Sequence, residues 1–226
     1  MLKKYISTVV FWGALWGLEE ATLGHLLHIT AFNIGWFIWF PFAYFFMGVV
    51  YKQTGRLNSV LFTSVVAAAI KFVNLFMTAN LVIVICPAIS ILLEGLSLFA
   101  VLKLLDWKKY IQKLKLIKIA SVSLLWRCLF LIALLAMPAW IMPAYPYKDI
   151  AALLKFVLYE GLINSVFIYG ILMAGMRVKG MILHKNKYSG IFSDKLIKSG
   201  SIEDISFKPI AAFSLLAVAL ILQRVL

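Results

Sequence analysis

Apolar runs long enough to cross a lipid bilayer recur from one end of this 226-residue chain to the other, and they restrict the fold more than any other feature of the sequence. A backbone inside hydrocarbon must satisfy its own N–H and C=O groups, so runs of roughly 20 apolar residues fold as helices. Composition agrees: 64% of residues are hydrophobic and 14% are charged, with a mean hydropathy of +0.99. A soluble domain is about 45–50% apolar and about 25% charged. The expected fold is therefore all-α, a polytopic transmembrane helix bundle.

Six spans are read at 6–29, 34–51, 57–79, 80–104, 116–140 and 150–175. A shorter seventh, at 207–224, has Ile210 to Leu222 as its uninterrupted apolar centre. The chain then divides into a six-helix transmembrane core (1–175), a basic cytoplasmic linker (176–206) and a C-terminal transmembrane or interfacial helix (207–226). Residues 1–17 have the basic start and apolar run of a signal peptide. Glu19 and Glu20 stand where small residues should mark cleavage, so this stretch is read as the first helix.

The net charge of +13 is unevenly spread. Seventeen of the 22 Lys and Arg lie in alternate connections: Lys3 and Lys4, Lys52 and Arg56, the run from Lys103 to Lys118, and the segment from Arg177 to Lys208. The positive-inside rule makes these the cytoplasmic side of a plasma-membrane protein with a cytoplasmic N-terminus. Anionic lipid accounts for such loops. No aromatic-interleaved basic motif points to nucleic acid. Cys86 and Cys128 fall inside predicted spans without metal-type spacing and read as packing residues.

Against this background Glu19, Glu20, Glu94 and Glu160 stand out, because a carboxylate at membrane depth must be paired, hydrated or protonated. At about 100° per residue, Gly13, Gly17, Ala21 and Gly24 form one face of the first helix, shared by Glu20 and His28. His25 lies at the edge of that face, and Glu19 points away from it. Small residues four apart let helices approach closely, so this face is expected to meet another helix or a partner subunit. His25 and His28 near the outer end could join Glu20 in holding a cation, including a divalent metal ion.

Polar stripes recur on four further helices. The third carries Ser64, Ala67, Lys71, Asn74 and Thr78, with Lys71 expected to pair with an intramembrane glutamate. The fourth carries Pro87, Ser90, Glu94 and Ser97, the fifth Ser123 and Arg127, and the sixth Glu160 and Asn164. The simplest assembly points these stripes at one centre, where four carboxylates meet Lys71, Arg127 and Lys155. At least one carboxylate is then left for a proton, water or a cation. Expected partners are membrane lipid and a small-molecule or ion ligand, with no resident cofactor and no nucleic acid. Glu20–Ala21, Glu94–Gly95 and Glu160–Gly161 repeat a local pattern, and Ala68 to Val73 (AAIKFV) matches Ala152 to Val157 (ALLKFV). Two halves of three helices would cross in opposite senses, as in inverted-repeat transporters.

The size, the six core helices, the lysine-rich cytoplasmic side and the small-residue face of Gly13, Gly17 and Ala21 resemble the substrate-binding S component of energy-coupling factor vitamin transporters, over residues 1–175. That resemblance implies capture of a micronutrient from outside, with a membrane coupling subunit and two ATPases as partners and the first helix as the docking face. The adjacent Glu19 and Glu20 are similar to the glutamate pair of intramembrane proteases related to CAAX processing enzymes, which would make Glu20 a base that activates water. That family carries arginine where this chain has Gly24 and His25, and later helices bearing histidines, whereas the remaining histidine here is His184. The expected function is membrane transport of a small solute, vitamin or cation through a polar intramembrane site. The alternatives are a membrane scaffold or assembly factor whose charges fix helix packing, and the protease.

Overall fold

The structure, a computed structural model, describes residues 2–29, 35–73, 81–105, 115–138 and 149–188. Its elements are α1 (Leu2–Ile29), α2 (Gly35–Thr54), α3 (Asn58–Val73), α4 (Leu81–Leu105), α5 (Lys115–Ala136), α6 (Ile150–Leu154), a π-helical turn (Lys155–Tyr159) and α7 (Glu160–Tyr188). Among the described residues there is no strand. Among the described residues three helical stretches are long and apolar enough to cross a membrane: Val84–Leu104, Leu116–Ala136 and Ile150–Ala174. Asn58–Val73 is a shorter apolar helix. The expected seventh helix at 207–224 and the outer loop from Trp140 to Tyr147 lie outside the described residues. The helix begun by the sixth span continues beyond residue 175 to Tyr188, into the expected linker.

Local chemistry sets the ends of these rods. Thr54 closes α2, and Gly55 follows at φ +62°, the left-handed conformation that glycine adopts without a Cβ penalty. Its N–H donates to the Tyr51 carbonyl at 2.9 Å. The Thr54 hydroxyl donates to the Val50 carbonyl at 2.8 Å and lies 2.8 Å from Ser59 Oγ, which itself donates to the Arg56 carbonyl at 2.6 Å. Three residues, Gly55 to Leu57, thus reverse the chain into α3. Asp149 caps α6, with Oδ1 accepting from the Ala152 N–H at 2.6 Å. The π-helical turn follows without a break, since Leu154 and Glu160 both keep right-handed helical angles, and the Glu160 N–H donates back to the Lys155 carbonyl.

The rods pack as a closed circuit in which α1 touches α3, α3 touches α4, α4 touches α5, α5 touches α7, α7 touches α2, and α2 returns to α1. Glycines set the closest approaches. A Cβ on Gly13 would lie 2.7 Å from Val66 Cβ, and one on Gly17 would lie 2.8 Å from Ile70 Cδ1. On its other side α3 meets Gly95 of α4, where a Cβ would overlap the Ser64 side chain. The small face of α1 is therefore seated on α3 of the same chain. Gly13 and Gly17 are covered by that contact, so here the face meets another helix of the chain. Ala21 is buried on the same side; Gly24 lies in α1 by its backbone, and its side of the helix is outside what is described.

Aromatic rings fill the space between the remaining elements. Trp16 of α1 stacks on Phe46 of α2 at 6.5 Å, Phe40 of α2 stacks on Trp126 of α5 at 5.7 Å, and Trp126 meets Phe156 of the π-helical turn edge-on at 6.0 Å. Toward the outside of the circuit lie Val65, Ile132, Leu135, Val166 and Ile171, each more than half exposed. Large apolar side chains turned outward, with polar ones turned inward, invert the pattern of a water-soluble bundle.

Candidate functional site

Glu94 stands midway along α4 and is 3% exposed, in the interior of the circuit. Ser90, one turn earlier, donates to its Oε1 at 3.4 Å, while Oε2 has no hydrogen-bond partner among the described residues. The Ser97 hydroxyl, fully buried one turn further on, likewise has none there. Glu94 lies within electrostatic reach of Glu20 and Glu19 of α1 and of Arg127 of α5. Three helices thus bring four charged groups to one level of the structure.

On the α1 side, Glu20 is buried and interacts with the ammonium of Lys71, whose Nζ donates to the Glu20 main-chain carbonyl at 3.4 Å. Lys71 is itself 8% exposed, so it is held inside by α1 and does not extend to a surface. Its position follows from the small stripe of α3. Ser64 and Ala67 are buried on the same face, and the close seat of Gly17 brings the α1 backbone to the end of that stripe. The indole of Trp16, fully buried one turn before Glu20, completes this side.

On the α5 side, Arg127 has no exposed surface at all. Its NH1 donates to Glu160 Oε2 at 3.4 Å, across to the first residue of α7. Its guanidinium lies 4.6 Å from the Trp126 ring centroid and 4.9 Å from that of Phe156. Two ring faces replace part of the hydration that the cation loses. One turn before Arg127, Ser123 donates to the Gly161 carbonyl at 3.0 Å, and the missing side chain of Gly161 lets α7 approach Leu124 and Arg127. The π-helical turn places Phe156 inward against Arg127 and leaves Lys155 outward. Such turns insert one extra residue into a helix and shift its faces, often where a side chain must be re-aimed.

Two expectations change. The Lys155 side chain is exposed and reaches the centre, among the described residues, through its electrostatic interaction with Glu160. Glu19, read as pointing away, has both carboxylate oxygens buried and lies within reach of Glu20 and Glu94. The reason is that α1 packs against both α2 and α3, which covers two adjacent faces and not one. Among the described residues the centre therefore holds four carboxylates, from Glu19, Glu20, Glu94 and Glu160, and two cations, from Lys71 and Arg127. Asn164 is fully buried one turn beyond Glu160, as its stripe predicts.

Asn74 lies outside the described residues. His25 and His28 fall in α1, but their side chains lie outside them too, so the proposed cation site of Glu20, His25 and His28 is not drawn together here. Among the described residues no group of three His, Cys, Asp or Glu side chains converges as a metal site. Cys128 is exposed and Cys86 partly buried, both as free thiols. The residues that sequence patterning missed, Trp16, Trp126 and Phe156, lie beside the charged groups and carry no signal in a chain with 15% aromatic residues. No protein-family model matches the chain, and neither a curated protein nor a solved structure does.

Proposed function

We propose that this chain is a multi-pass protein of the plasma membrane, with its N-terminus in the cytoplasm, that carries a small polar solute, vitamin or cation inward. In this reading it is the substrate-binding subunit or the whole body of an importer, with a coupling subunit and ATPases as its partners in the first case. The observation that carries the reading is the interior charge set: Glu20, Glu94, Lys71 and Arg127 interact inside a structure whose outward side chains are apolar. Burying an ion is costly even when it is paired, and uncharged Ser, Thr or Asn can join helices at lower desolvation cost. An excess of carboxylates over cations, with Glu94 Oε2 and Ser97 Oγ lacking partners among the described residues, supports a positively charged or hydrogen-bond-donating cargo.

Glu20→Gln and Glu94→Gln remove charge while keeping shape. Each is expected to abolish uptake of the solute that co-purifies with the wild-type chain, with normal membrane insertion. Unaltered uptake in both variants would sink the proposal.

A scaffold reading has its own support in Arg127, whose salt bridge, two aromatic faces and neighbouring Ser123–Gly161 hydrogen bond join α5 to α7. On that reading the glutamine variants would change the recovery of a partner complex and leave ligand binding as it was.

A further inference from the structure

Away from the charged centre, a groove of about 470 Å³ runs between α2 and α7, lined by Pro41, Tyr44, Gly48, Lys52, Ile168 and Leu172 among others. Phe45, Ile171 and Leu172, which also line it, are 49%, 51% and 40% exposed, so it opens on the outer surface of the circuit. The lining is overwhelmingly apolar, and Lys52 marks one end. From Pro41 to Lys52 the α2 backbone rises about 16 Å, close to one leaflet's share of a hydrocarbon core about 30 Å thick. The same end of the structure is basic. Lys3 and Lys4 begin α1, Arg56 stands in the α2–α3 turn with its guanidinium 5.2 Å from the Tyr5 ring, and Lys52 is exposed beside them in the last turn of α2.

We propose that the α2–α7 groove binds one acyl chain of an anionic phospholipid, with the phosphate at Lys52. Groove length and lining fit a chain within one leaflet, and the basic rim fits an anionic head in preference to a zwitterionic one. Gly48 makes room for it: a Cβ at this position would meet nothing within 4 Å, so the groove floor is open at the middle of its length. The same openness makes a test, because a side chain at Gly48 would enter the groove from a Cβ that strikes nothing.

The full chain is purified, stripped of lipid and placed in nanodiscs of phosphatidylglycerol and phosphatidylethanolamine in equal parts, then released for native mass spectrometry. The wild type should retain phosphatidylglycerol in preference. Gly48→Leu should lose the retained lipid of either head, and Lys52→Ala should keep a lipid while losing about fivefold of the preference for the anionic head. Equal retention by wild type and Gly48→Leu overturns the proposal. So does a preference unchanged by Lys52→Ala, or a wild-type chain that retains no lipid because another segment or a non-lipid molecule fills the groove. Lys52 is on the surface, so its variant reports on the head even if Gly48→Leu folds poorly.

Discussion

At the scale of single residues, Arg127 is the side chain with most at stake. It has no exposed surface, and its partner Glu160 retains 13% exposure, so the two ends of the ion pair differ in cost. Removing one member of a buried pair strands the other and typically costs about 3–5 kcal/mol. Glu160→Gln, which leaves the fully buried Arg127 charge without this carboxylate, should therefore lower the thermal unfolding temperature in detergent more than Arg127→Met, which strands a carboxylate that solvent or a proton can still reach. A larger loss in Arg127→Met would show that the aromatic sandwich, and not the buried charge, sets the stability. Both residues were legible in the sequence because each interrupts an apolar run. Glu19 was read off the small-residue face, and its carboxylate is covered all the same because α1 packs against both α2 and α3.

At the scale of elements, the contact of α1 with α3 depends on glycines whose neighbours are already within touching distance. Gly13→Ala places its Cβ 2.7 Å from Val66 Cβ and 2.9 Å from the Thr63 carbonyl, so it should destabilise the chain by about 1–3 kcal/mol as an overpacking change. Val66→Ala in the same chain should restore part of that loss, as read by thermal unfolding in detergent. No recovery would place the strain at the atoms that alanine leaves in place, Val66 Cβ and the Thr63 carbonyl. Asp149 offers a milder test at the start of α6: Asp149→Ala removes the 2.6 Å cap and should cost about 1 kcal/mol, seen as faster amide exchange over Ala151 and Ala152. The helical segments were legible because apolar length is a strong signal, although the last described helix runs on to Tyr188, past the expected end of its span. The π-helical turn was not. The local match of AAIKFV with ALLKFV predicts like environments for Lys71 and Lys155, yet one is buried and the other exposed.

At the scale of the whole molecule, the basic connections and the closed helix circuit lead to one test of orientation. In sealed right-side-out vesicles, Arg56→Cys is expected to resist a membrane-impermeant thiol reagent, while Asp149→Cys is labelled at once; both are made in a chain lacking Cys86 and Cys128. The reverse pattern would invert the orientation on which the importer reading stands. Circuit order was not legible in the sequence. That α3 sits between α1 and α4, and that α2 closes on α7, depends on which glycine faces which methyl group.

Sequence by itself determined the all-helical fold and the identity of the costly residues, because hydrocarbon admits few backbone solutions and an ion in an apolar run is conspicuous. Tertiary structure decided which charges meet. Whether Lys71 reaches Glu20, whether Lys155 turns in or out and whether Glu19 is covered depend on interhelical distances set by Gly13, Gly17, Gly95 and Gly161. The added residue of the π-helical turn also counts, since it shifts every side chain that follows. Such distances arise from packing between segments far apart in the chain, and local periodicity holds no record of them.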